Sequence, residues 1–184
     1  MNIVIIAGTN RIGSMSKKIA DKMALQYREK GIVAEVIDLS ALPSDVFVPT
    51  VYSTKPESFM AIHQQILDAS GLVFIVPEYN GSYPGILKYF IDLWQYPVAF
   101  EKRCVAFIGI SAGPWGGLRA VEHLQGVFGY RNAWQFNERV FINNIYARWD
   151  GANIKQLHEK EPDMEVLLQS QTHNFIEFCQ VHTK

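Results

Sequence analysis

The chain has 184 residues, 48% of them hydrophobic and 19% charged, and its 17 basic and 18 acidic side chains leave a formal net charge of −1. A chain of this length buries about 70% of its unfolded surface, enough for one core without metal or disulfide staples and too little for two comfortable domains. No basic run exceeds the pairs Lys17-Lys18 and Lys102-Arg103, so nucleic acid and anionic membrane are excluded as partners, and small-molecule chemistry becomes the expectation for a single domain over 1–184.

The first apolar run, Asn2 to Ala7, follows Met1 without a basic leader and is too short for a signal peptide or a membrane span, which points to a cytoplasmic chain. Ile12, Met15, Ile19, Met23 and Tyr27 then recur at helical spacing up to Gly31, a C-terminal glycine with Arg28 and Lys30 in the last turn. A second strand run spans Ile32 to Leu39. The stretch from Ser40 to Lys55 has no clear period, carries Pro43 and Pro49, and reads as a long connection, either a surface loop or a segment that closes over a substrate. Phe59, Ile62, Ile66 and Ala69 mark the next helix, and Gly71 to Val76 the third strand.

Pro84 is expected to open a helix at its first position, running through Leu87, Ile91 and Trp94 until Pro97 stops it. Arg103 to Ile110 is the fourth strand, Leu118 to Leu124 a helix, Trp134 to Ile142 a mixed fifth strand at an edge, and Met164 to Cys179 a long final helix. Cys104 and Cys179 stand 75 positions apart outside any C-x-x-C pair and read as core thiols. The histidines, at 63, 123, 158, 173 and 182, show no metal-ligand spacing and read as surface residues. No catalytic residue and no metal site is expected.

Five strands alternating with helices predict an α/β fold, a doubly wound parallel sheet of order 2-1-3-4-5 as in flavodoxin-like proteins. Ligands in such sheets bind beyond the carboxyl ends of the strands where the order reverses, among the loops after the first, third and fourth strands. The first of these, Gly8-Thr9-Asn10-Arg11-Ile12-Gly13-Ser14-Met15-Ser16, has the glycines, hydroxyls, helix start and cation of a phosphate cradle, although a turn that merely caps its helix has much the same composition. It is neither a Walker A loop, where Lys would stand at Ser14, nor a dinucleotide fingerprint, where Gly would stand at Asn10. The second, Pro77-Glu78-Tyr79-Asn80-Gly81-Ser82-Tyr83-Pro84-Gly85, offers tight turns and exposed backbone groups beside two tyrosine rings, which suits the face and edge of a flat heteroaromatic ligand. The third, Ser111-Ala112-Gly113-Pro114-Trp115-Gly116-Gly117, lets backbone approach the ligand's other edge, with Ser111 or Trp115 nearby.

A phosphate site beside a flat-ring site suggests flavin mononucleotide. The run from Gly8 to Ser16 followed by Pro77 to Lys88 resembles the NADPH-dependent FMN reductase family, which includes azo-dye, quinone and chromate reductases; the similarity extends from the first strand to about Gly117. The resemblance implies that Thr9, Arg11, Ser14, Met15 and Ser16 wrap the FMN phosphate. It implies that Pro77, Glu78, Tyr79, Asn80 and Gly81 line the isoalloxazine, with Ser111 and Gly113 near its pyrimidine side. It further implies a ping-pong oxidoreductase that takes electrons from NADPH or NADH and passes them to a flavin, quinone or azo acceptor, in a homodimer or homotetramer. The family's usual L-K-N-A-I/L-D-W helix here reads Leu87-Lys88-Tyr89-Phe90-Ile91-Asp92-Leu93-Trp94, with bulkier Tyr89 and Phe90. The competing readings are a non-enzymatic flavodoxin-like electron carrier and a ligand-binding domain without the cofactor. Arg11 in the loop and the near-neutral charge favour the reductase.

Overall fold

The computed structural model describes residues 1–182. Strands β1 (Asn2–Ala7), β2 (Val33–Asp38), β3 (Gly71–Pro77) and β4 (Cys104–Ile110) lie in the order β2-β1-β3-β4, and two short strands, β5 (Trp134–Gln135) and β6 (Val140–Ile142), share the place beyond β4. Every pairing is parallel. This is the doubly wound 2-1-3-4-5 sheet that the alternation of strand and helix predicts. The helices are α1 (Met15–Glu29), α2 (Glu57–Asp68), α3 (Gly85–Asp92), α4 (Leu118–Tyr130), α5 (Ile145–Arg148) and α6 (Met164–His182).

All seven residues of β3 and all seven of β4 are buried, because helices cover both faces of the sheet. Strand alternation divides them between two cores. Ile3, Ile5, Val73, Ile75, Ala106 and Ile108 pack with side chains of α1 and α6 on one face. Val4, Ile6, Phe74, Val76, Val105 and Phe107 pack with α2, α3 and α4 on the other. The second core is aromatic at its centre, where the Phe74 ring lies 4.9 Å from Phe128 and 5.7 Å from Phe107. Phe90 is fully buried in this core, so its bulk fills the interior.

The fifth strand does not run unbroken from Trp134 to Ile142. Between Val105 and Ile108 β4 advances three residues while its neighbour advances five, from Gln135 to Val140, so two residues leave the ladder. The cause is the exposed polar run Asn137-Glu138-Arg139, which has no apolar face to bury. The Gln171 amide of α6 closes the gap, donating to the carbonyls of Phe107 at 3.1 Å and Glu138 at 2.8 Å.

The connection between β2 and α2 is more ordered than its sequence implies. It folds into three short turns of 3-10 helix that bury Val46 and Val51. Tyr89 of α3 clasps it, donating its hydroxyl to the Val46 carbonyl and stacking on Phe47 at 5.5 Å. Pro84 takes the N-cap position of α3, one residue earlier than expected, and α3 ends at Asp92, well short of Pro97. His63 is a core residue, contrary to the surface reading. It is 5% exposed, stacks on Phe59, and its Nε2 accepts from the Gln95 amide at 3.0 Å. Cys104 and Cys179 are both fully buried. The hydrogen bond between the two thiols, followed by burial, pushes Cys179 up, so it stays protonated. Among the described residues no helix is long and apolar enough to cross a membrane.

Candidate active site

The loop from β1 to α1 is shaped by two glycines with different duties. A Cβ at Gly8 would lie 2.6 Å from the Ile75 carbonyl oxygen, so this glycine serves the packing of β1 against β3 and not the ligand approach anticipated from sequence. Gly13 adopts φ +67° in open space and turns the chain into α1. Ser14 caps that helix, its Oγ accepting from the Lys17 amide at 3.2 Å, which leaves its hydroxyl proton free to donate. The Met15 and Ser16 amides have no intrahelical partner because they open the helix. Ser16 is 1% exposed and its Oγ is buried without a hydrogen-bond partner.

The loop after β3 begins with a two-residue hairpin. Tyr79 and Ser82 exchange backbone hydrogen bonds of 2.7 and 3.1 Å around Asn80 (φ +53°) and Gly81 (φ +79°), the left-handed pair that Asn-Gly supplies at least cost. The turn aims the Tyr79 ring back toward β1, where its hydroxyl lies 2.8 Å from Thr9 Oγ1. The Glu78 amide donates to the Ile110 carbonyl at 3.1 Å, and the half-buried Glu78 side chain turns one carboxylate oxygen, Oε2, inward without a partner.

The loop after β4 is stapled from the far side. Asn144 N donates to the Gly113 carbonyl and Ile145 N to the Ser111 carbonyl, each at 3.0 Å, which plants α5 on this loop. At the other end of α5, Arg148 is 2% exposed and forms a bidentate pair with Glu161 at 2.7 and 2.6 Å. Hydrogen bonding to Arg148 holds the Glu161 carboxyl down at about 2, with the Leu157 and His158 amides adding to the effect. The result is a rigid four-residue helix that presents Ile145 and Tyr146 to the site.

The three loops enclose a cavity of about 530 Å³. Thr9, Arg11, Ser14, Met15, Ser16, Pro77, Glu78, Tyr79, Asn80 and Ser111, all singled out from sequence, line it. Gly81 and Gly113 line instead an adjoining hollow of about 200 Å³, which shares Glu78, Asn80 and Ser111 with the larger one. Sequence reasoning missed Ile145 and Tyr146, because a four-residue helix shows no periodicity; the only local sign was the pair Asn143-Asn144 before an apolar residue.

The β1 end of the cavity is a wall of donors. It combines the Ser14 and Ser16 hydroxyls, the Met15 and Ser16 amides, the positive end of α1 and the Arg11 guanidinium, and the loop from Gly8 to Ser16 contains no carboxylate. A phosphate monoester supplies the acceptors this set lacks, above all for the buried Ser16 Oγ. The β3 and β4 ends offer backbone edges and aromatic faces to a flat ring. On donor chemistry and volume the site fits a flavin mononucleotide.

Comparison with known proteins agrees with that chemistry. The family model described as NADPH-dependent FMN reductase matches residues 1–147. A 2-hydroxy-1,4-benzoquinone reductase from a Burkholderia species is 31% identical over 154 residues, covering 82% of each chain. An NAD(P)H-dependent FMN reductase from Pseudomonas aeruginosa is 30% identical over 154 residues, again 82% of each. Among solved structures, the flavoenzyme NAD(P)H:(acceptor) oxidoreductase FerB from Paracoccus denitrificans superposes with a TM-score of 0.77 at 21% identity over 98% of each chain, a likeness of fold.

Proposed function

Because this chain belongs to the NADPH-dependent FMN reductase family, and is therefore an enzyme of oxidoreductase type, we propose that it is a single-domain FMN-dependent NAD(P)H oxidoreductase whose acceptor is a flavin, quinone or azo compound. The observation that carries the reading is the convergence of a carboxylate-free donor wall and a ring-edge wall on one cavity. The buried Ser16 hydroxyl at the start of α1 adds a donor that an anionic oxygen would satisfy.

Thr9, Arg11, Ser14, Met15 and Ser16 hold the phosphate. Pro77, Glu78, Tyr79, Asn80 and Gly81 lie along the isoalloxazine, and Ser111 and Gly113 approach its pyrimidine edge. When bound, FMN supplies the two-electron chemistry, taking reducing equivalents from NADPH or NADH and releasing them to the acceptor in a ping-pong sequence. The protein's share is orientation and electrostatics, so no side chain need act as acid, base or nucleophile. Tyr79, fixed through Thr9, keeps the ring wall in register with the phosphate wall. The carboxylate of Glu78 places negative charge at the boundary of the two hollows, where it disfavours excess electron density on a bound ring. The working protein is a cytoplasmic homodimer or homotetramer, with the partner bordering the open side of the cavity.

Anaerobic mixing of FMN-loaded protein with NADPH or NADH tests the reading. Rapid bleaching of the flavin band, followed by recovery on adding a benzoquinone, is expected. A spectrum unmoved by either donor would make the chain an electron carrier, and protein that takes up no FMN would remove the cofactor from the account.

A further inference from the structure

The two cysteines of the chain meet at the rim of the sheet opposite the cavity. Cys104 opens β4, and Cys179 lies in the last turn of α6. Both are fully buried in the core that the sheet shares with α1 and α6. A notch brings them together. Gly71, the first residue of β3, is the ladder partner of Cys104, and a Cβ on it would stand 2.6 Å from Cys179 Sγ. An alanine there would push the sulfur away, so the missing side chain is what lets α6 seat Cys179 beside Cys104. The two thiols hydrogen-bond to one another.

That bond makes the partners unequal. Hydrogen bonding from the Cys179 thiol, opposed by burial and assisted by the Arg103 charge, draws the Cys104 thiol below its ordinary value, while the same bond and burial raise Cys179. Cys104 is the nucleophile of the pair and Cys179 its proton donor. The corner that holds them is weakly tied. β5 is two residues long, and its Trp134 is the other ladder partner of Cys104. The end of α6 rests on this strand through ring contacts, Phe178 to His182 at 4.1 Å and Trp134 to His182 at 4.7 Å. A bond from Cys104 to Cys179 would close a loop through α4, β5, β6, α5 and α6 and restrain the unfolded chain.

We propose that Cys104 and Cys179 are a redox pair that hydrogen peroxide closes into an intramolecular disulfide, stapling α6 to the sheet. The Cys104 thiolate attacks one peroxide oxygen, the O–O bond breaks, and the departing hydroxide takes up the proton that Cys104 released, leaving a sulfenic acid and one water. The Cys179 sulfur then attacks the Cys104 sulfur, the S–O bond breaks, and the Cys179 proton leaves with the hydroxyl as a second water. Two thiols lose two protons and two electrons, and one peroxide becomes two waters. The pair is shut off from solvent, so a small neutral oxidant is the class that reaches it, through opening of the last turn of α6. Because the pair lies away from the cavity, the proposal does not depend on FMN binding.

The test is peroxide treatment of the folded protein, then denaturation, alkylation of free thiols and intact-mass measurement. The expected product takes up no alkyl group, has lost two hydrogens, and yields one peptide pair joined through Cys104 and Cys179 that a phosphine reductant separates. Without reductant its thermal midpoint rises by about 5 °C or more, and reductant reverses the gain. Cys179→Ala shows no such rise under the same treatment; should that variant fail to fold, the mass and midpoint of the wild type decide alone. Two alkylated thiols after treatment, cysteine oxidised by added oxygen in place of the crosslink, a disulfide between two chains, or a crosslinked protein that melts no higher than the reduced one overturns the proposal.

Discussion

The Thr9 hydroxyl and the Tyr79 hydroxyl meet at 2.8 Å although 70 positions separate them, and this bond directly ties the loop after β1 to the loop after β3. Tyr79→Phe keeps the ring and removes the tie. The expected outcome is FMN affinity weakened by about three- to tenfold, in keeping with one hydrogen bond of about 0.5–1.5 kcal/mol, read by flavin fluorescence titration. Wild-type affinity in the variant would show that the loops hold their places without it.

Removing the donor wall of the β1 loop has a distinct signature if it holds the phosphate as proposed. Arg11→Ala with Ser16→Ala is expected to weaken FMN by about a hundredfold or more, since hydrogen bonds to charged groups contribute about 1.5–3 kcal/mol each. Riboflavin, which lacks the phosphate, should bind both proteins alike. A parallel loss of riboflavin would place the damage at the ring.

Arg148 serves α5 and, through it, the Tyr146 wall. Its guanidinium bonds Asn143, Lys155 and Glu161. Arg148→Ala removes a fully buried side chain together with its bonds to Asn143, Lys155 and Glu161, and urea denaturation is expected to show a clearly lower midpoint. An unchanged midpoint would mean that the segment from Trp149 to Glu161 contributes nothing to the folded state.

The pH dependence separates two groups. Burial, with Lys55 nearby, pushes the His63 imidazole below its ordinary value. The unfolded chain then binds the proton first, so stability is complete above about pH 6.5 and declines as pH falls below it. Glu161, held at about 2, contributes stability that is complete above the ordinary carboxylate range and is lost only as pH falls toward 2. Denaturation midpoints measured between about pH 7 and 5 should fall in the wild type and fall less in His63→Gln, whose amide oxygen can still accept from Gln95. An identical slope in both proteins would clear His63.

Gln171→Leu tests the repair of the broken strand. It deprives the Phe107 and Glu138 carbonyls of their donor, and a loss of about 1–3 kcal/mol is expected by denaturant titration.

The first four strands, their helices and the strand order follow from local chemistry: apolar runs long enough to be covered on both faces, helical spacing between them, and the rule that crossovers are right-handed. The shape of the loop between β1 and α1 was legible for the same reason. A cap, a left-handed glycine and a helix start are all written within the run from Gly8 to Ser16. Other features depend on partners far along the chain. Gly8 reads as a ligand-facing glycine until Ile75 is beside it. The interruption after Gln135 makes sense only with Gln171 in place. His63 is interior because Phe59 and the Gln95 amide enclose it; its spacing from Phe59 and Ile66 puts it on the apolar face of α2, but the residue type argued for the surface. Tyr146 reaches the site through hydrogen bonds to Ser111 and Gly113 and a buried Arg148, none of them encoded by a repeat.

By itself the sequence determined the sheet, the loops at its rim and the donors of the β1 loop, because each depends on residues within a few positions of one another. The tertiary structure alone decided which arginines are spent on the fold and which remain for a ligand. A guanidinium is committed by whatever carbonyl, carboxylate or ring the fold brings within reach, and that distance is set by packing.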